Sequence, residues 1–145
     1  MPRPRGGDWL EDEIHSLKSS GVDVIVSLLE REEIAELDIA EEQALCEAGG
    51  ISYLSFPIAD RNIPPSKRDT LVFVQTLAKL LQTGKNVVIH CRQGVGRSAL
   101  IAACVLVYGG IPVDKAFEKI ENARGCAVPD TQEQREWVSR FAEGL

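Results

Sequence analysis

Apolar positions along the chain follow two periods. In "DWLEDEIHSLKSSG", Leu10, Ile14 and Leu17 share one helical face, and Gly21 closes the helix. "VDVIVSLL" (Val22–Leu29) is β-branched and apolar, the pattern of a buried strand. "REEIAELDIAEEQALCEAGG" returns to helical spacing, as one helix or two pieces, and ends at its glycines. "ISYLSFPI" (Ile51–Ile58) alternates as a second strand. The prolines of "ADRNIPPS" permit only a loop. Ser66 with Asp69 makes a capping box that has Asp in place of Glu and opens the helix "KRDTLVFVQTLAKLLQ", which Gly84 stops. "NVVIH" is a third strand, and "SALIAACVLVYGG", apolar almost all round, is a buried central helix. Helices from Val113 to about Ala123 and from about Thr131 to Ala142 complete the chain.

Strands alternating with helices predict an α/β fold: a central, mostly parallel sheet flanked by helices. No repeat or linker divides the sequence, and 145 residues suffice for one core, so residues 1–145 read as a single domain. Ligands of such sheets bind beyond the carboxyl ends of the strands, where His90 and Cys91 fall. The net charge of −6 argues against nucleic acid or an anionic membrane as partner, so any anion site must be local. Four cysteines without paired spacing, and only His15 and His90 to help them, make neither a disulfide framework nor a zinc cluster. The expectation is reduced thiols in a cytoplasmic protein with no metal and no cofactor. The N-terminus has no apolar segment of a signal peptide, and no run is long enough to span a bilayer.

The chemistry concentrates in "NVVIHCRQGVGRS", Asn86–Ser98. Cysteines are often simply buried, and Cys46, Cys104 and Cys126 read as structural. Cys91 differs because it lies between a buried strand and a buried helix, with Gly94 and Gly96 in the connection. Glycines let successive N–H groups turn toward one point, and the helix N-terminus adds positive charge there. Arg92, Gln93, Gly94, Val95, Gly96 and Arg97 would thus form an anion cradle, with the Arg97 fork matching two phosphate oxygens. The same features lower a thiol pKa, and Ser98 can hydrogen-bond the thiolate as it forms and leaves. A cradle and a nucleophile in one loop imply phosphoryl transfer through a phosphocysteine. His90 reads as a structural ring behind the loop rather than a base. Arg92 lines the rim or meets solvent, and Arg3 and Arg5 form a basic tail that could reach the rim.

"HCRQGVGRS" resembles the H-C-x5-R-[ST] signature of cysteine-dependent protein tyrosine phosphatases, and the short chain is similar to their dual-specificity branch. "FPIAD" is similar to the kinase-associated phosphatases of that branch. The resemblance, from about Val22 to the last helix, implies metal-free, two-step hydrolysis of phosphotyrosine, with phosphoserine and phosphothreonine in addition. It makes a phosphoprotein the partner of a monomeric enzyme.

The family also supplies an acid from a loop about thirty residues before the cysteine, and Asp60 is the only acid of "ADRNIPPS". The alternative is that Asp60 shapes a turn before the prolines. For a family glutamine that positions water for the second step, "VPDTQEQREWV" offers Gln132 and Gln134, of which Gln134 is the better match, although Asp130 or Thr131 capping a helix also explains that segment. The chain begins almost at its first helix where many relatives have a strand. Rival readings are a catalytically weak phosphate-binding module, or a phosphatase of inositol lipids or RNA 5′-triphosphates. Lipid-directed relatives carry lysines in the loop, and this loop has only Arg92.

Overall fold

Three short parallel strands set the frame. The computed structural model describes residues 1–145. A 3-10 turn (Gly7–Trp9) leads into α1 (Leu10–Ser19), followed by β1 (Val24–Ser27), α2 (Arg31–Glu36), α3 (Glu42–Ala48) and β2 (Ser52–Ser55). Then come α4 (Lys67–Gln82), β3 (Val87–His90), α5 (Arg97–Tyr108), α6 (Val113–Arg124) and α7 (Gln132–Glu143). The sheet order is β2-β1-β3, with Ser27 paired to both Ser55 and His90.

The strands are shorter than their apolar runs, yet bonding continues past their ends. Leu28 N–H donates to His90 O, and Ile58 N–H to Leu28 O, at 3.0 Å each. Sequence patterning reports burial, and Leu28, Leu29 and Ile58 are buried beyond the regular ladder. β1 alternates as a strand must. Val24, Val26 and Leu28 pack with Val74, Leu100, Phe117 and Val138 of α4, α5, α6 and α7. Ile25 and Leu29 pack with Leu10, Ile14 and Cys46 of α1 and α3 on the opposite face. Leu100 and Ile101 of α5 are fully buried, so truncating either costs about 2–5 kcal/mol. That burial fixes the helix whose first turn carries Arg97 and Ser98.

The segment after β1 forms two helices, because Asp38 adopts a left-handed conformation (φ 55°) between them. Ser66 Oγ accepts from Asp69 N at 3.1 Å, so the serine half of the expected cap forms. Gly21, Gly50 and Gly84 take positive φ just after α1, α3 and α4. No preceding strand covers the outer edge of β3. Residues 1–3 lie against its carboxyl end instead, with Met1 N donating to Ile89 O (2.7 Å) and Arg3 N to Arg92 O (3.3 Å). No helix is long and apolar enough to cross a membrane.

Candidate active site

The β3–α5 connection places Cys91 at the floor of a small cavity of about 90 Å³. Its walls are Asp60, Arg61, Arg92, Gln93, Gly96, Arg97 and Asp130, with no aliphatic or aromatic side chain among them. Cys91 is 3% exposed, and burial alone would push its thiol up. The Ser98 hydroxyl, the backbone N–H groups of Ser98 and Gly94 and the charge of Arg97 outweigh that, and the thiol is held below its ordinary value. Ser98 Oγ lies 3.4 Å from Sγ, and Gly94 N–H donates to Sγ at 3.3 Å. By contrast, burial pushes Cys46 up to about 12 and Cys104 higher still. One thiol of the three buried ones is tuned for nucleophilic chemistry.

Arg97 is 2% exposed, and its fork is filled. Nη1 donates to Glu33 Oε1 (2.7 Å) and Ile58 O (2.9 Å), while Nη2 donates to Glu33 Oε2 and Asp60 Oδ1, both at 2.9 Å. Glu33 sits at the third position of α2, held by a capping box with Glu30. Burial alone would raise the Glu33 carboxyl, but Arg97 above all, with Arg92, holds it below its usual value. A two-pronged carboxylate behind a buried guanidinium fixes its plane and supplies the counter-charge it needs out of water.

The loop is held from behind as well. Arg124, the last residue of α6, donates to Gly94 O (3.1 Å) and Gln93 O (3.2 Å). Holding those carbonyls outward turns the following N–H groups inward, the arrangement an anion cradle needs. Gly94 has φ 76°, and a Cβ there would lie 2.3 Å from Met1 C, so conformation and space both demand glycine. His90, fully buried, contacts Glu42 Oε2 through Nε2 (2.7 Å) and Cys91 O through Nδ1 (3.3 Å), the structural place expected of it.

The expected residues divide by position. Cys91, Arg97, Asp60, Arg92, Gln93 and Gly96 line the cavity, and Ser98 touches its sulfur. Gly94 and Val95 do not line it; Gly94 backs onto an apolar groove on the other side of the loop. Gln134 does not line it either. Its Oε1 accepts from Thr131 N (3.2 Å), its backbone N donates to Thr131 Oγ1 (3.1 Å), and its Nε2 donates to Asn62 O (3.0 Å). That amide closes a helix cap and ties the Asp60 loop to α7, with both its polar atoms engaged. Asp130, four residues earlier, faces the cavity in its place. Arg3 and Arg5 turn away, Arg3 onto Pro4 O and Arg5 onto Glu13 and the Trp9 ring. Glu33, Arg124 and Asp130 are the site residues that motif reasoning passes over. Glu33 and Asp130 read as ordinary first-turn or capping acids, and Arg124 as the end of a solvated helix.

This assembly of nucleophile, anion cradle and neighbouring acid is that of a cysteine-dependent phosphatase. The family model "Tc-R-P: Polymorphic toxin system, DSP-PTPase phosphatase" matches residues 1–111, and the chain belongs to that family. It is 28% identical over 138 residues to cyclin-dependent kinase inhibitor 3 of Rattus norvegicus, covering 94% of this chain and 65% of that protein. The chain thus spans just under two thirds of the length of that curated relative. Among solved structures it is similar to a kinase-associated phosphatase whose catalytic-site cysteine is substituted by serine. That match has TM-score 0.91 and 25% identity, covering 99% of this chain and 84% of the other. It is also similar to Tk-PTP in its active form, with TM-score 0.81 and 28% identity, covering 100% and 89%.

Proposed function

We propose that this chain is a protein phosphatase that hydrolyses phosphotyrosine, phosphoserine and phosphothreonine through a phosphocysteine on Cys91. The observation that carries this reading is the Cys91 thiol, held below its ordinary value beside a guanidinium already fixed in plane by Glu33. In the first step the thiolate attacks phosphorus, the P–O bond to the substrate breaks, and Asp60 protonates the leaving oxygen. The inward N–H groups bear the charge of the transferring phosphoryl, together with Arg97 through the Nη2 position that Asp60 leaves to reach the substrate. In the second step water attacks phosphorus as the P–S bond breaks, its proton passes to the Asp60 carboxylate left by the first step, and Ser98 stabilises the departing thiolate.

The wholly polar wall supports dual specificity, because nothing in it grips an aromatic ring in preference to an aliphatic carrier. It also bears on the lipid alternative. Arg92 is paired with Glu36 (3.2 Å) and Glu33 (3.5 Å), so the one additional cation in the loop is already neutralised against a second phosphate. The four free cysteines suit a reducing cytoplasm. The test is turnover of p-nitrophenyl phosphate and of phosphopeptides in the presence of a chelator. Turnover by the wild type, lost in Cys91→Ser, supports the reading; turnover that survives Cys91→Ser contradicts it.

A further inference from the structure

Residues 1–7 touch both stretches of backbone that carry the charged groups of the site, yet none of them lines the cavity. At one end Met1 N donates to Ile89 O (2.7 Å) and Arg3 N donates to Arg92 O (3.3 Å), on either side of Cys91. Between those bonds the chain lies so close to Gly94 that a Cβ there would overlap Met1 C and come 2.5 Å from Pro2 N. Pro4 is buried, and the segment then crosses to the turn that ends α2. There Gly7 N–H donates to Asp38 O (2.9 Å), and a Cβ at Gly6 would overlap Leu37 O and come 2.7 Å from Asp38 O. α2 carries Glu33 and Glu36, which pair with Arg97 and Arg92 of the loop. Residues 1–7 and the ion pairs thus join the same two stretches of backbone and close a ring around them.

We propose that residues 1–7 are a positioning strap for the phosphate loop: they hold Arg92 and Gly94 in the cradle conformation and keep α2 where Glu33 grips Arg97. This rests on the phosphatase reading above and assigns part of the order of that site to residues outside the cavity. Gly94 sits at φ 76°, and in that conformation its N–H donates to Cys91 Sγ at 3.3 Å. A free glycine takes positive and negative φ about equally well, so nothing intrinsic to Gly94 keeps its N–H on the sulfur. Backbone packed against it removes that freedom, and the bonds to Ile89 O and Arg92 O fix the peptide groups on either side of Cys91. A loop ordered before substrate arrives loses less freedom on binding, which favours both affinity and alignment.

Two full-length variants lift the strap, one at each end, with the exposed Cys126 replaced by serine throughout. Arg3→Pro removes the N–H that donates to Arg92 O, while Arg3→Ala keeps it and serves as the control. Gly6→Ala forces a methyl group against Leu37 O. In Arg3→Pro and Gly6→Ala the midpoint of iodoacetamide labelling of Cys91 is expected to move up in pH, as the Gly94 N–H leaves the sulfur. For p-nitrophenyl phosphate, kcat/KM should fall about tenfold in Arg3→Pro, the scale of one hydrogen bond. It should fall on the order of 10²-fold in Gly6→Ala, the scale of a displaced cradle. Arg3→Ala should match the wild type in both readouts. An unchanged midpoint and unchanged kcat/KM in Arg3→Pro and Gly6→Ala overturn the inference. So does lost activity with a lower melting temperature but an unmoved midpoint, which makes residues 1–7 a structural tie alone. Equal losses in Arg3→Ala and Arg3→Pro assign the effect to the side chain and overturn it too. If Gly6→Ala does not fold, Arg3→Pro decides. Labelling needs no turnover, so the strap is judged separately from the phosphatase reading, which a wild type without turnover contradicts.

Discussion

Arg97 Nη2 donates to Asp60 Oδ1 at 2.9 Å, so the residue proposed to bind the phosphoryl group and the residue proposed as its acid touch. Asp60 is half exposed while Arg97 is not, which leaves the acid free to swing from the guanidinium to a leaving oxygen. Asp60→Asn is expected to depress turnover of phosphothreonine or phosphotyrosine peptides far more than that of an activated aryl phosphate. The scale is about 10²–10⁴-fold on the poor leaving group. Equal losses on both substrates, with a lower melting temperature, would make Asp60 a turn former.

Glu33 acts through Arg97. Glu33→Gln leaves a buried guanidinium with only the half-exposed Asp60 as counter-charge, and breaking such a buried pair costs about 3–5 kcal/mol. Both the melting temperature and kcat/KM should fall. The pH dependence has a definite sign. The folded state holds the Glu33 carboxyl below its ordinary value of 4.5, so its contribution is complete above that value. It fades as pH drops through the lowered folded value. Glu33→Gln should therefore flatten that acid loss in thermal unfolding curves; an unchanged acid limb would mean the pair is not stabilising.

Ser98→Ala removes the foremost of the contributions that lower the Cys91 thiol. The thiolate population at neutral pH should drop and the midpoint of iodoacetamide labelling should move up in pH, with rates converging at high pH. The exposed Cys126 is replaced by serine for this assay, while Cys104, buried and pushed up, stays silent. A midpoint that does not move would show that the hydroxyl does not tune the sulfur.

The sequence carried the centre of the site because its parts are contiguous. Strand, cysteine, glycines, arginine and helix occur within Asn86–Ser98, where local rules act. Residues brought in by tertiary packing left no such trace. Glu33 meets Arg97 across 64 positions, and its neighbours Glu30, Glu32 and Glu36 look identical to it in sequence. Gln134 and Asp130 show the same limit at finer scale. Both flank a helix start and both lie against Gly96, and only the fold of that turn puts Asp130 rather than Gln134 on the cavity wall. The pattern also runs past the strand ends, since buried extended residues such as Leu28 and Ile58 look in sequence like ladder residues.

Arg124→Ala frees the carbonyls of Gln93 and Gly94. Because small displacements of a cradle can cost on the order of 10²-fold, kcat/KM should fall by about that factor, and inhibition by inorganic phosphate should weaken in parallel. Melting temperature should change little, since Arg124 sits at the end of its helix. Full activity would show that the loop holds its shape without the clamp.

A nucleophilic Cys91 must become phosphorylated during turnover. Rapid acid quench of the wild type with p-nitrophenyl phosphate, followed by peptide mass mapping, tests it directly. The account predicts one phosphoryl group on the peptide containing Cys91, none on those containing Cys46, Cys104 or Cys126, and none at all in Cys91→Ser. A wild type that turns over substrate with no phosphorylated Cys91 at any quench time would contradict it.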